Sequence, residues 1–207
     1  MNSVGKIAGN TLVSSFYSIE PFMPAALAFH PDKIILLIDA DSKPEARHKL
    51  DANIELVKKT LGTAIFVKTV PVKQYDLLDV AKKTVKLIEE EHGSGNRVYL
   101  NVTGGRRTVM MGALMACYTR SEMVERVVYS LEETNELIEL PKLSMALSQT
   151  KRGILELLAK GRKPIPEVAE KLEKTRGMVY AHLRELKALG YVNDDFELTV
   201  AGRIALL

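Results

Sequence analysis

The residues of this chain best suited to chemistry are the run Asn101-Val102-Thr103-Gly104-Gly105-Arg106-Arg107-Thr108. It lies between a strand-like apolar run, Val98 to Val102, and a helix-like one, Val109 to Tyr118. Glycines let the backbone approach an anion, the following helix aims its free amides at it, and two guanidinium groups neutralise it: the layout of a phosphate site. A plain tight turn flanked by surface cations would use the same residues. The spacing favours the site, because Asn101, Thr103, Gly104, Gly105, Arg106 and Arg107 all fall at the C-terminal end of a buried strand, where open α/β sheets bind ligands. The run lacks the Lys-Ser/Thr ending of a P-loop and the three-glycine dinucleotide fingerprint, so neither nucleotide hydrolysis nor nicotinamide chemistry is indicated. The four histidines show no metal-ligand spacing, and Glu89-Glu90-Glu91 reads as a solvated helix end.

The elements around the run alternate strand and helix. Lys6 to Val13 reads as a first strand, followed by a turn at Ser14 and Ser15 and a helix from near Pro21 to Phe29. Ile34 to Ile38 is continuously apolar, as a strand buried on both faces must be. Leu50, Ile54, Val57 and Leu61 recur at helical spacing, with Gly62 as the stop. Ala64 to Val70 forms the next strand, ended by Pro71, and Leu78, Ala81, Val85 and Ile88 mark the next helix. Val127 to Leu131 and Glu136 to Leu140 read as a hairpin at the sheet edge. Repeated strand-helix units imply a mostly parallel α/β sheet covered on both sides. The turns at Ser14-Ser15, Asp39 to Ser42 and Thr103 to Arg107 share its C-terminal edge, which adds Asp39 to the candidate ligand-binding residues.

The pattern changes after Pro141. Arg152 to Ala159, Ile165 to Leu172 and Thr175 to Leu189 are three helices, Tyr191 to Val200 a strand-turn-strand with Asp194-Asp195 at its tip, and Ala201 to Leu207 closes the chain. This is a winged helix-turn-helix. The organisation is therefore a ligand-binding domain at 1–143 and a DNA-binding domain at 144–207. In the last of the three helices Val179, Leu183, Leu186 and Leu189 pack on Val168 and Leu172, leaving Lys174, Thr175, Arg176, Tyr180, Arg184 and Lys187 to meet phosphates and base edges. Thr175 is also suited to cap the helix. Residues 148–207 hold 11 Lys and Arg against 8 Asp and Glu, so the whole net charge of +3 lies there. A protein-protein module would leave a similar solvated face, but the cations favour double-stranded DNA.

Together these features resemble the CRISPR-associated Rossmann fold (CARF) regulators of archaea: an Asn-x-Thr-Gly-Gly-x-Arg strand end, a Ser-rich turn after the first strand, and a C-terminal winged helix. The resemblance covers nearly the whole chain. It implies a Rossmann-like sheet and a homodimer whose two domains form one pocket for a cyclic oligoadenylate, most often the tetra-adenylate. It assigns Thr103, Gly104, Gly105 and Arg106 to phosphate or ribose, and Ser14, Ser15 and Phe16 to the pocket lining. The implied function is a ligand-responsive transcriptional regulator of CRISPR-associated genes, with no cofactor and no metal. The alternative is a slow ring nuclease using a Ser14 or Ser15 hydroxyl and Arg106, since no general base is evident. No apolar run approaches the roughly 20 residues of a membrane span, and Cys117, the single cysteine, reads as a buried residue in a reducing cytoplasm.

Overall fold

Ile34, Ile35, Leu36, Leu37 and Ile38 are buried in succession, which a strand achieves only inside a sheet covered on both faces. The computed structural model describes residues 8–62, 64–131, 133–145, 147–161 and 163–207. The chain divides into two compact units, with the boundary between Ser144 and Met145. Among the described residues no helix is long and apolar enough to cross a membrane.

The N-terminal unit runs β1 (Asn10–Ser15), α1 (Met23–Phe29), β2 (Lys33–Asp39), α2 (Pro44–Leu61), β3 (Phe66–Val72), α3 (Leu77–Gly93), β4 (Arg97–Asn101), α4 (Arg107–Thr119), β5 (Arg126–Ser130) and β6 (Leu137–Leu140). The strands form one sheet in the order β3-β2-β1-β4-β5-β6. All pairings are parallel except β5 with β6, so the expected α/β architecture and the hairpin at the edge are both present. Leu12, Ile34, Leu36 and Ile38 pack with Phe22, Phe29, Leu50, Ile54 and Val57 of the α1 and α2 layer. Period-two alternation turns Val13, Ile35 and Leu37 to the opposite face. The order reverses between β1 and β4, which start chains of strands running in opposite directions across the sheet.

Several boundaries differ from the sequence reading. Lys6 lies outside the described residues, and β1 continues two residues past Val13 because Ser14 and Ser15 pair with Leu36 and Leu37 of β2. They are strand residues, not a turn. The first helix begins at Met23, with Pro24 in its first turn. Pro71 does not end β3 but sits inside it, opposite Ile38. β3 is an edge strand, where a residue without an N–H faces no partner strand and is tolerated.

The C-terminal unit contains α5 (Gln149–Ala159), α6 (Ile165–Lys171), α7 (Arg176–Ala188) and α8 (Val200–Ala205). Ile154, Leu155, Val168, Val179, Leu183 and Leu186 form its core. Leu189 is not part of it: it caps α7 and is 56% exposed. The wing is shorter than expected, reduced to the single antiparallel bridge Val192–Leu198. Asn193 Oδ1 accepts from the amides of Asp195 (3.0 Å) and Glu197 (2.8 Å), closing the tip so tightly that no longer ladder fits. Val200 then begins α8, because the Thr199 hydroxyl accepts from Gly202 N at 3.1 Å and caps it.

Glu91 corrects the reading of the glutamate run. It is 5% exposed and accepts hydrogen bonds from Thr11 Oγ1 (2.9 Å), Asn96 Nδ2 (2.8 Å) and Lys33 Nζ (2.5 Å). It thereby joins β1, β2 and the turn after α3. Burial pushes its carboxyl up, but the bonds from Lys33, Asn96 and Thr11 outweigh burial and hold it below the usual carboxylate range. With the folded value below the unfolded one, its contribution is complete above about pH 4.3 and disappears as pH falls through the folded value. Glu91→Gln should cost about 1–3 kcal/mol at pH 7. Thermal unfolding between pH 7 and 3 checks this: the difference between wild type and variant should narrow at the acid end.

Candidate functional site

Beyond the C-terminal end of β1 and β4 the ladder of backbone hydrogen bonds runs out, and buried polar groups there need other partners. Asn101 supplies them. Its Nδ2 donates to Ser14 Oγ at 3.1 Å, while its Oδ1 accepts from Thr103 N at 3.1 Å and from Thr103 Oγ1 at 2.7 Å. Thr103 Oγ1 in turn accepts from Ser130 N of β5 at 2.6 Å. Ser14 Oγ donates to the Ser15 carbonyl at 2.9 Å, and Ser15 Oγ to the Thr103 carbonyl at 3.4 Å. Ser14, Ser15, Asn101 and Thr103 are all buried. These four candidates are brought together, as a hydrogen-bonded base beneath the loop.

The loop rises from that base through Gly104 and Gly105, with φ of 92° and 70°. Both values lie in the left-handed region that side chains disfavour. A Cβ on Gly105 would stand 3.5 Å from the backbone of Phe16, and one on Gly104 3.5 Å from the Ser15 carbonyl. The turn thus lies directly on the end of β1. Arg106 follows as the N-cap residue of α4, where no side chain caps the helix. Its free amides carry the positive end of the helix dipole. Arg106 and Arg107 are exposed.

A cleft of about 280 Å³ opens beside this turn, lined by Phe16, Tyr17, Leu37, Asp39, Ser42, Ala46, Leu50, Gln74, Gly105, Arg106 and Val109. Of the candidates, Phe16, Asp39, Gly105 and Arg106 line it. Gly104 sits behind Gly105, and Arg107 belongs to the first turn of α4 outside the lining. Asp39 holds its own turn, accepting from Asp41 N and Ser42 Oγ at 3.0 Å each. Ala46 and Val109 bring the first turns of α2 and α4 to the cleft, so two helix N-termini converge on it. Phe16, Tyr17, Leu37, Leu50 and Val109 make apolar and aromatic walls, interrupted by the polar Asp39, Ser42 and Gln74, with Phe16 fixed edge-on against Phe22 at 5.6 Å. A cationic entrance and apolar walls suit an aromatic group carrying a phosphate.

The sequence reading missed Tyr17, Ser42, Gln74 and Arg47. Ser42 lay in a turn already singled out. Gln74 was hidden by ending β3 at Val70, since the strand reaches Val72 and carries the next loop to the same edge. Arg47 donates to the Asp39 carbonyl at 3.4 Å and pairs with Asp51 at 3.3 Å, placing a further guanidinium at the rim. Among the described residues no group of three or more His, Cys, Asp and Glu could hold a metal ion. Burial raises the Cys117 thiol to about 11, so it is not a nucleophile at neutral pH.

In the C-terminal unit Lys174, Thr175, Arg176, Tyr180, Arg184 and Lys187 are all exposed. Two of them are engaged. The Thr175 hydroxyl accepts from Met178 N at 3.3 Å as the cap of α7, and Lys187 Nζ pairs with Asp194 of the wing at 2.6 Å. That lysine holds the Asp194 carboxyl below its usual range. On the flank, Glu185 bonds Lys151 of α5 at 2.8 Å, with His182 Nδ1 at 3.7 Å.

Residues 17–134 match the family described as HFX_2341_N-like, N-terminal, over more than half of the chain. The chain belongs to this family. In this HFX_2341_N-like protein, residues 148–194 match the arsR family of bacterial regulatory proteins. The HTH-type transcriptional regulator MJ0229 of Methanocaldococcus jannaschii, itself uncharacterized, is 44% identical over 64 residues, 30% of this chain and 67% of the relative. Among solved structures, Enterococcus italicus Csm6 bound to cyclic hexa-2'-fluoro-hexa-dAMP is similar with a TM-score of 0.51 at 12% identity. That likeness covers 91% of this chain and 51% of Csm6, so this chain spans about half of Csm6's length, and the likeness is one of fold. The protein is thus a mostly parallel α/β domain of this family, with a fold like that found in Csm6, followed by the helix-turn-helix of a transcriptional regulator.

Two variants test this geometry. Asn101→Ala strips partners from the buried Thr103 amide and the Ser14 hydroxyl, and should cost about 1–3 kcal/mol in denaturant unfolding. Asp194→Asn releases Lys187, an exposed pair of modest worth, and should tighten binding to duplex DNA about two- to fivefold in a fluorescence titration, steepening its salt dependence by about one unit.

Proposed function

We propose that this protein is a homodimeric regulator of CRISPR-associated genes whose DNA binding responds to a cyclic oligoadenylate, the tetra-adenylate first. The observation that carries the reading is the uncapped α4 N-terminus with Arg106 and the Gly104-Gly105 turn, opening on an aromatic cleft at the point where the strand order reverses. Such a point is where open α/β sheets bind nucleotides. A cyclic ligand of four phosphates has the symmetry to meet two copies of this turn across a two-fold axis. The bound ligand of Csm6, a cyclic oligonucleotide analogue, lends support at the level of fold. Thr103, Ser14, Ser15 and Asn101 hold the turn in place from below, while Gly105, Arg106, Phe16 and Asp39 meet the ligand, with Arg107 adding charge.

Regulation requires that the ligand bind two arrangements of the dimer with different affinity, because equal affinity shifts nothing. Ring cleavage is not part of this reading, since the Ser14 and Ser15 hydroxyls both donate to backbone carbonyls. Arg106→Ala should weaken cyclic tetra-adenylate binding by about 1.5 kcal/mol or more, the worth of a charge-assisted hydrogen bond. Isothermal titration of the full chain measures it. Saturating ligand should change the affinity of the wild type for its operator duplex and leave Arg106→Ala nearly unresponsive; identical operator affinity with and without ligand in the wild type sinks the regulatory claim.

A further inference from the structure

Among the described residues, four glycines lie inside helices away from their C-terminal ends, and three of them are explained by what they touch. A Cβ on Gly112 would come within 2.7 Å of Val80 Cβ, one on Gly153 within 2.8 Å of Leu172 Cδ2, and one on Gly202 would collide with the Tyr191 carbonyl. Each absent methyl makes room for a packed neighbour. Gly177 differs. It is the second residue of α7, its φ is not left-handed, and the nearest atom to a Cβ built on it would be Thr175 Oγ1 at 4.0 Å. Neither packing nor backbone geometry asks for glycine there, and glycine weakens a helix relative to alanine.

The position of Gly177 on the helix points outward. Val179, Leu183 and Leu186 are the buried face of α7, and at 3.6 residues per turn Gly177, Ala181 and Arg184 lie on the opposite side. Gly177 and Ala181 are exposed, with Tyr180 on one flank and Met178 on the other, both exposed. The outermost line of the first two turns therefore has almost no side chain, flanked by a phenol and a thioether, and Arg184 continues it one turn later. A helix is roughly 10–12 Å across with its side chains, and the major groove is about 12 Å wide. Bare backbone on the leading line lets such a helix seat deeper, while the flanking groups reach phosphates and base edges.

We infer that Gly177 is the point of closest approach between α7 and duplex DNA, kept free of a side chain by the DNA and not by the protein. The inference rests on the DNA-binding reading above and sharpens it, because it makes depth of insertion a separate determinant from charge. Substitution here gives effects of opposite sign on folding and on binding, which a merely structural glycine would not.

The test uses the full chain, wild type and Gly177→Ala, with the duplex that the wild type selects from a randomised 30-bp library. The variant should melt about 2–4 °C higher, as a better helix former at an unstrained site, and should bind that duplex at least tenfold more weakly. Its salt dependence should be unchanged, since no phosphate-neutralising cation is lost. A raised melting temperature with unchanged DNA affinity overturns the inference while leaving DNA binding intact. A lowered melting temperature also overturns it, by revealing an internal need for the glycine. A wild type that selects no duplex overturns the DNA-binding reading and this inference with it.

Discussion

Three strands of the central sheet end beside one another with polar groups and no ladder left to satisfy them, and a single carboxamide resolves this. Asn101 offers a donor and an acceptor at once, so it serves the Ser14 hydroxyl of β1 and the amide and hydroxyl of Thr103. Through Thr103 the same network reaches the Ser130 amide of β5. No other side chain of similar size has both functions in a fixed plane. The glycine turn inherits its position from this network, and Arg106 and the start of α4 inherit theirs from the turn. The buried polar groups of Ser14, Asn101 and Thr103 are consumed in building the site, and the cleft left to a ligand offers Arg106, backbone amides, Asp39, Ser42, Gln74 and aromatic walls.

The charge of the C-terminal unit tells a similar story of consumption. Its excess of cations is a property of the count, but Lys187, Lys151, Lys163 and Lys171 are each paired with a carboxylate of the same unit. Lys174 just before α7, Arg176 at its start and Arg184 two turns later are exposed. Pairing within the unit thus leaves the exposed cations of α7 a larger share of the attraction to DNA than the bare count suggests.

Much of this was legible in sequence. Continuous apolar runs marked β2 and β4, helical spacing marked α2 and α3, and the change of pattern after Pro141 separated the two units, because those signals arise from burial, which sequence records directly. The losses came where a long-range partner decides. Ser14 and Ser15 look like turn residues until β2 pairs with them, Pro71 looks like a strand end until β3 proves to be an edge, and Glu91 looks solvated until Thr11, Lys33 and Asn96 close over it. The wing was overextended for a local reason, the Asn193 side chain folding back on its own tip. In the candidate site the cationic turn was readable, whereas Gln74 reaches the cleft from the loop after β3, an element whose end the sequence misplaces.

Pro71 has a consequence for how copies of the protein can meet. The outer rim of β3 lacks one amide hydrogen near its C-terminal end, so a foreign strand laid along its full length would lose a rung there. Pairing with a second strand on that side is thereby confined to the stretch before Pro71, which begins at the exposed Phe66.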